Sequence, residues 1–188
     1  QAALRKALVD GIVYEAFGDI SQPLRFMPIT RRGLTPELLH KLWGSTYSVQ
    51  ECAQVIERLK EQIFVKTRPD RSVVLHDEIA DWAEYELYAP QPEEARTLFK
   101  AVAEDYRTRF RDVRTKIEEL AVQTNQFLED DWELNAAVGA SLHSPGVDIY
   151  EPLIAVVEQR RRIAIDRLFY ALRANPLEGF QYYYGLAE

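Results

Sequence analysis

Residues 73–82 combine a short apolar strand, a His-Asp pair and the first turns of an amphipathic helix. Two β-prone segments, 63–67 and 72–75, stand on either side of residues 68–71, whose Pro-Asp pair is typical of a tight turn. We therefore predict a β-hairpin formed by these two segments. Because the second segment continues straight through the His-Asp pair, the chain is expected to pass directly from the hairpin into a helix.

A capping box precedes the hairpin. The Ser48 side chain is placed to accept from the backbone N–H of Glu51, while the Glu51 carboxylate reaches back to the N–H of Ser48. A helix is expected to follow, since apolar residues recur at three- and four-residue steps and therefore share one face. The residues predicted to be buried on that face are Val49, Cys52, Ala53, Ile56, Leu59 and Ile63.

Another helix is predicted between Thr35 and Gly44. Thr35 supplies an N-cap, Pro36 suits the first helical position, and the glycine ends the pattern. Its apolar stripe consists of Leu38, Leu39, Leu42 and Trp43. We also expect a first helix within residues 4–17, and a short helix followed by a loop within residues 21–33. Helix, helix, hairpin, helix is the order of elements in a winged-helix domain.

The second half of the sequence is predicted to be helical. The segment 89–92 contains two prolines and is the best linker candidate, and an apolar stripe from Leu98 to Ala121 then marks a long helix. A second break is expected at residues 144–146, with Asp148 as the N-cap of the next helix, and Asn175 is the predicted N-cap of the last one.

These patterns predict a mainly α fold with two domains. Residues 1–89 are expected to form a winged-helix domain with a small β-hairpin wing. Residues 90–188 are expected to form a helical arm, either a bundle or the start of an α-solenoid, since successive helices are joined by short turns.

Composition excludes several classes of protein. The chain has 188 residues, a formal net charge of −7 and a single cysteine, so a disulfide framework and a multi-cysteine zinc site are both excluded. No apolar run approaches the length of a membrane span, and the start lacks the pattern of a signal peptide. We expect a cytoplasmic piece of a longer protein that does not enter a membrane.

His76 and Asp77 are the candidate functional residues. Asp77 is expected to cap the helix that begins at Glu78. A lone histidine at a strand end is more often exposed or bonded to the backbone than in contact with a ligand, so residue type alone does not make His76 a binding residue.

The run VVLHDEIADWAEY resembles the end of the winged-helix domain in STAND-class signalling ATPases, the group that includes NB-ARC proteins. In that family a hydrophobic-His-Asp triplet ends the wing and opens the last helix. Two earlier segments, RGLTPELLHKLWG and VQECAQVIERLKEQIFVKT, also resemble that domain, so the likeness covers about Leu24 to Tyr88. Leu75 occupies the first position of the triplet, where the family has Met.

The resemblance implies a function for the whole protein. The winged helix would close over a nucleotide-binding domain of the same protein, and His76 would contact the phosphates of bound ADP in the inactive, closed state. The helices after residue 90 would correspond to the arm that leads into a repeat sensor. The sequence contains no G-x-x-x-x-G-K-[ST] motif, so we expect no cofactor in this piece, ADP or ATP in the parent protein, and no enzymatic activity of the piece itself.

The alternative is a DNA-binding transcription regulator with a helical dimerisation region. Charge argues against it, because residues 1–89 carry 11 Lys and Arg against 13 Asp and Glu. Nucleic acid is therefore not expected as a partner, whereas other proteins or self-association through the helical region are. An enzyme is also disfavoured, since His40, His76 and His143 are dispersed and no glycine-rich loop accompanies them.

Overall fold

A computed structural model describes residues 18–44, 46–130 and 151–186, together with positions 7, 10 and 11. Within these residues the protein is mainly helical and has one two-stranded antiparallel sheet. A short 3-10 turn, Gly18–Ile20, precedes the first complete helix. In chain order, the elements are α1 Ser21–Phe26, α2 Pro36–Trp43, α3 Val49–Lys60, β1 Val65–Thr67, β2 Val73–Leu75, α4 Asp77–Tyr88, α5 Pro92–Asp130, α6 Glu151–Ala174 and α7 Pro176–Leu186.

Helix α2 begins and ends as its sequence predicts. The Thr35 hydroxyl accepts a hydrogen bond from the N–H of Leu38 at 3.3 Å, and Pro36 occupies the first turn. Gly44 follows the helix with a φ of 84°, a conformation that favours glycine. Leu38 and Leu39 are buried, whereas Leu42 and Trp43 are only half-buried.

The capping box of α3 is confirmed. The Ser48 N–H donates to the Glu51 carboxylate at 2.7 Å, and the Glu51 N–H donates to the Ser48 hydroxyl at 3.2 Å. These Ser48 donors hold the pKa of the Glu51 carboxyl below its ordinary value. The buried face consists of Cys52, Val55, Ile56 and Leu59.

Two residues predicted to be buried with α3 are instead exposed. Val49 is 41% exposed because it is the first residue of the helix, at the edge of the packed face. Ile63 is 91% exposed, since α3 ends at Lys60 and helical periodicity no longer applies to residue 63. Both predictions of burial are wrong for the same reason: a periodic pattern does not by itself define where a helix begins and ends.

The predicted hairpin is present, with shorter strands than expected. Val65 pairs with Leu75 and Thr67 pairs with Val73. In the turn, the Arg71 N–H donates to the Arg68 carbonyl at 2.9 Å and Arg71 has a φ of 65°, which is the three-residue loop built on a type I turn.

Leu34 adds a short third segment to the sheet. Its N–H donates to the Val73 carbonyl at 2.9 Å, and it accepts from the Val73 N–H at 3.1 Å. The residue therefore pairs with β2 on the side opposite β1. The core beneath the sheet and helices α1–α4 includes Leu24, Met27, Ile29, Leu34, Leu38, Leu39, Ile56, Leu59, Val73, Leu75 and Ala83.

The predicted helices of the second half are also found. Helix α5 begins at Pro92 after the predicted break, and α7 begins after Asn175, whose side-chain oxygen accepts from the Leu177 N–H at 3.1 Å. A Cβ on Gly179 of α7 would lie 2.7 Å from the Leu172 Cα, so the glycine permits a close approach of α7 to α6.

Some predictions fall outside the described residues. These are the helix within residues 4–17, apart from the helical positions 7, 10 and 11, the break at 144–146 and the Asp148 cap. Backbone contacts divide the chain into two compact units, one made of Gln1–Asp105 with Leu168–Glu188 and the other of Tyr106–Arg167. The division into domains 1–89 and 90–188 stays a prediction. Along the described part of the chain, no helix combines the length and apolar character needed to cross a bilayer.

Candidate functional site

His76 lies at the junction between β2 and α4, where the β1–β2 hairpin ends. We call this hairpin the wing. Its backbone N–H donates to the Phe64 carbonyl at 3.1 Å, and its own carbonyl accepts from the N–H groups of Ile79 and Ala80, both at 2.9 Å. The backbone of His76 is therefore held by the hairpin on one side and by the first turn of α4 on the other. His76 is half-buried, so part of the residue remains accessible to solvent.

The predicted cap role of Asp77 is wrong. Helix α4 begins at Asp77 rather than at Glu78, so the N-cap position belongs to His76, whose side chain makes no capping hydrogen bond. The Asp77 side chain is 94% exposed and its carboxylate lies 3.9 Å from the Lys66 ammonium on β1. Asp77 still suits the first turn, where a negative charge interacts favourably with the helix dipole.

The surroundings of His76 determine what chemistry the junction can perform. The N-terminus of α4 carries partial positive charge, while the charge of the Lys66 ammonium is offset by the Asp77 carboxylate 3.9 Å away. An imidazole N–H can donate to an anionic oxygen, and its neutral form can accept a proton instead. The junction can therefore contribute one directional hydrogen bond to an anionic group. The described residues of the junction do not offer the several converging N–H donors of a phosphate-binding loop.

A second cluster was missed by the sequence analysis and centres on Arg31 and Arg32, in the loop before Leu34. The Arg68 guanidinium of the wing turn donates to the Arg32 carbonyl. The Arg32 N–H donates to the Tyr170 hydroxyl of α6 at 2.8 Å, and the Arg32 guanidinium lies 5.0 Å from the Phe169 ring centroid. The loop thus joins the wing to the C-terminal end of α6.

Arg31 continues this connection through an ion network. Its guanidinium donates to one Glu84 carboxylate oxygen at 2.6 Å, and Arg173 of α6 bonds to the other oxygen. We call Arg31, Glu84 and Arg173 the Arg-Glu-Arg triad. Arg31 also pairs with Asp81, which is largely exposed.

The triad is partly sheltered by aromatic rings. The Arg173 guanidinium lies 4.8 Å from the Phe99 centroid and 5.4 Å from the Phe169 centroid. Burial, followed by the positive charge of Arg31, lowers the pKa of Arg173. Glu84 therefore separates two guanidinium groups that would otherwise repel each other.

An open cavity of about 480 Å³ adjoins the triad and is also lined by Tyr85, Tyr88 and Arg96. Its volume is within the range of small-molecule sites. Both triad arginines already bind Glu84, and the Tyr88 hydroxyl donates to the Arg25 carbonyl at 2.6 Å. Arg31, Arg173 and Tyr88 are thus already engaged with other groups of the protein, which is typical of a structural network.

The remaining candidate residues have structural positions. The Nδ1 atom of His40 lies 2.6 Å from the Tyr47 carbonyl oxygen, and Tyr47 stacks on Trp43 with 4.0 Å between ring centroids. Cys52 is buried, and burial, followed by the charge of Glu51, raises the pKa of its thiol. His143 lies outside the described residues. Among those described, no group of three or more His, Cys, Asp or Glu residues is arranged to bind a metal ion.

Comparisons with protein-family models, with curated protein sequences and with solved structures give no match. The features that bear on function are therefore the junction at His76, the order of elements around it and the contacts of the Arg31-Arg32 loop.

Proposed function

We propose that this chain is a regulatory and interaction module of a larger signal-transducing ATPase. In this proposal, residues 1–89 form a winged-helix domain that closes over a nucleotide-binding domain of the same protein. ADP or ATP belongs to that other domain, and His76 donates a hydrogen bond to a phosphate of ADP in the closed state. The helical region supplies contacts to other proteins.

The order of elements supports the winged-helix interpretation. Helix α1 is followed by the Leu34 segment, α2, α3, β1 and β2, with Leu34 and β1 on opposite sides of β2. A winged helix has this order of helix, strand, two helices and two strands. The short Leu34 pairing was not part of the sequence prediction, so it is independent support.

The position of His76 is the observation that carries the functional proposal. In the triplet, Leu75 is the last residue of β2, His76 lies between the two elements and Asp77 is the first residue of α4. The family that the sequence resembles has its triplet at the same place. The backbone of His76 is hydrogen-bonded on both sides, while the residue as a whole is only half-buried. In the proposal, a side chain on a backbone fixed in this way meets a phosphate presented by a neighbouring domain and loses it when the domains separate.

The transcription-regulator alternative gains no support from the wing or from α3. Helix α3 exposes Glu51 and Glu57, and the exposed Glu61 directly follows the helix, so these carboxylates would approach the DNA phosphates if α3 were a recognition helix. The basic hairpin residues that would favour DNA binding are Lys66, Arg68 and Arg71. Arg68 is bonded to the Arg32 carbonyl and Lys66 lies beside Asp77, while Arg71 is exposed.

Nucleotide content tests the proposal. The complete reading frame is expected to encode a phosphate-binding loop, and the full-length protein purified from cells is expected to carry about one ADP per chain. The 188-residue chain purified alone serves as the control and is expected to carry none. A full-length protein without a phosphate-binding loop and without bound nucleotide would contradict the proposal. Binding of the 188-residue chain to a specific duplex, weakening steeply with salt, would favour the alternative.

A further inference from the structure

Helix α7 exposes an unusually apolar surface. Leu177 is 68% exposed, Phe180 56%, Tyr183 53% and Tyr184 68%. Leu177, Phe180 and Tyr184 are spaced three and four residues apart, so they form one stripe along the helix. Together with Tyr183 they constitute what we call the α7 face. Contiguous apolar patches on the surface of a soluble protein commonly mark a site of contact with another protein.

The opposite side of α7 is already occupied. Gly179 is buried against Leu172 of α6, and Tyr182 is half-buried. The helix therefore has two apolar sides, of which only one packs within the described residues. A surface helix of a monomer normally turns a mainly polar side to solvent, whereas α7 exposes Glu178 and Gln181 together with four large apolar or aromatic side chains.

We propose that the α7 face is a two-fold contact between two copies of this chain. Charge favours a second copy as the occupant. The chain has a net charge of −7, yet residues 179–187 contain no Asp, Glu, Lys or Arg, so two copies can approach here without placing like charges opposite each other. The tyrosine hydroxyls both donate and accept, which allows identical surfaces to satisfy each other.

The spacing of the stripe is also compatible with a two-fold axis. If two α7 helices pack antiparallel with the axis near Phe180, Phe180 meets its own copy and Leu177 meets Tyr184 of the other chain. A two-fold contact of this type uses the same patch twice. The same stripe can therefore form both sides of the contact, one side from each copy.

The available area indicates a weak dimer. A fully buried aromatic side chain covers roughly 150–250 Å², so four side chains that are about half exposed offer on the order of 450 Å² per copy. The resulting contact of roughly 900 Å² in total is at the low end for specific complexes and corresponds to a transient dimer. The contact does not depend on the proposed nucleotide function, because neither His76 nor the wing takes part in it.

Sedimentation equilibrium of the 188-residue chain between about 1 µM and about 1 mM tests the contact, because a weak dimer dissociates within that range. The wild type is expected to shift from monomer to dimer. Phe180→Glu is expected to remain monomeric because two carboxylates would meet at the contact. Tyr184→Glu, made separately, is expected to remain monomeric because each carboxylate would be placed against the apolar Leu177 side chain of the other copy. Ile63→Glu is the matched control, since it removes an exposed apolar side chain elsewhere, and it is expected to dimerise like the wild type. Thermal melting establishes that each variant is folded.

A charge-swap pair makes the test specific for the axis near Phe180. An equimolar mixture of Phe180→Glu and Phe180→Lys is expected to form a heterodimer, while each variant alone stays monomeric. A wild type that is monomeric at every concentration would overturn the proposal and leave a different protein as the occupant of the face. Unchanged dimerisation of both glutamate variants would also overturn it, because the dimer would then use another surface.

Discussion

The backbone N–H of Arg32 donates to the hydroxyl of Tyr170 at 2.8 Å across 138 positions of sequence. The Arg32 carbonyl accepts from the guanidinium of Arg68 in the wing turn. One residue of the loop before Leu34 therefore contacts both the wing and α6.

Tyr170→Phe tests the first of these contacts. Tyr170 is fully buried, and its hydroxyl is the partner of a partly buried N–H. Losing the hydrogen bond is expected to lower the free energy of unfolding by about 1–2 kcal/mol. Urea denaturation of both proteins measures the difference. Tyr85→Phe is the control because Tyr85 is 69% exposed, and it is expected to change stability little. Equal effects of the two substitutions would show that the Arg32 contact contributes nothing.

Glu84→Gln tests the Arg-Glu-Arg triad. The amide cannot neutralise Arg31 and Arg173 together, so the two guanidinium groups are left to repel each other. We expect a loss on the order of 1–3 kcal/mol, less than for a fully buried pair because Arg173 is 37% exposed. Added salt is expected to reduce the loss by screening that repulsion. Glu86→Gln, at an exposed position of the same helix, is the control. The free energy of unfolding of Glu84→Gln and Glu86→Gln is measured at low and at high salt. Equal losses for the two variants at both salt concentrations would refute the role of the triad.

The two predicted helix caps are expected to respond differently to alanine. Ser48 makes both hydrogen bonds of a capping box, so Ser48→Ala is expected to cost about 1 kcal/mol. Asp77 is almost fully exposed and makes no cap, so Asp77→Ala is expected to change stability by no more than about 0.5 kcal/mol. Thermal melting of the two variants compares them directly. A larger loss for Asp77→Ala than for Ser48→Ala would contradict the assignment of His76 as the N-cap.

Local chemistry in the sequence was sufficient to predict the elements near the wing. Thr35-Pro36 and the Ser48-Glu51 box define their helix starts by hydrogen bonds within three residues, and both are confirmed. The Asp77 prediction failed because a histidine can hold the N-cap position with its backbone alone. Nothing in the sequence distinguishes that case from an aspartate cap one residue later.

Long-range contacts could not be predicted in this way. The Arg32–Tyr170 bond, the Arg-Glu-Arg triad and the Leu34–Val73 pairing each join residues that are distant in sequence. Arginine and glutamate are common on helix surfaces, so their pairing across α4 and α6 leaves no periodic or motif signal. The predicted position of His76 between the second strand and the following helix is confirmed, while its contact with a nucleotide stays a prediction.

ADP release from the full-length protein is the most direct test of the proposed role of His76. A hydrogen bond from the imidazole to a phosphate contributes roughly 1.5–3 kcal/mol, so His76→Ala is expected to accelerate ADP release roughly ten- to a hundredfold. His40→Gln serves as the histidine control and is expected to release ADP at the wild-type rate. The 188-residue chain carrying His76→Ala is expected to melt close to the wild-type temperature, since the ring makes no capping bond. Wild-type ADP release by His76→Ala, together with a clearly lowered melting temperature of the chain, would show that His76 is structural and would contradict the account.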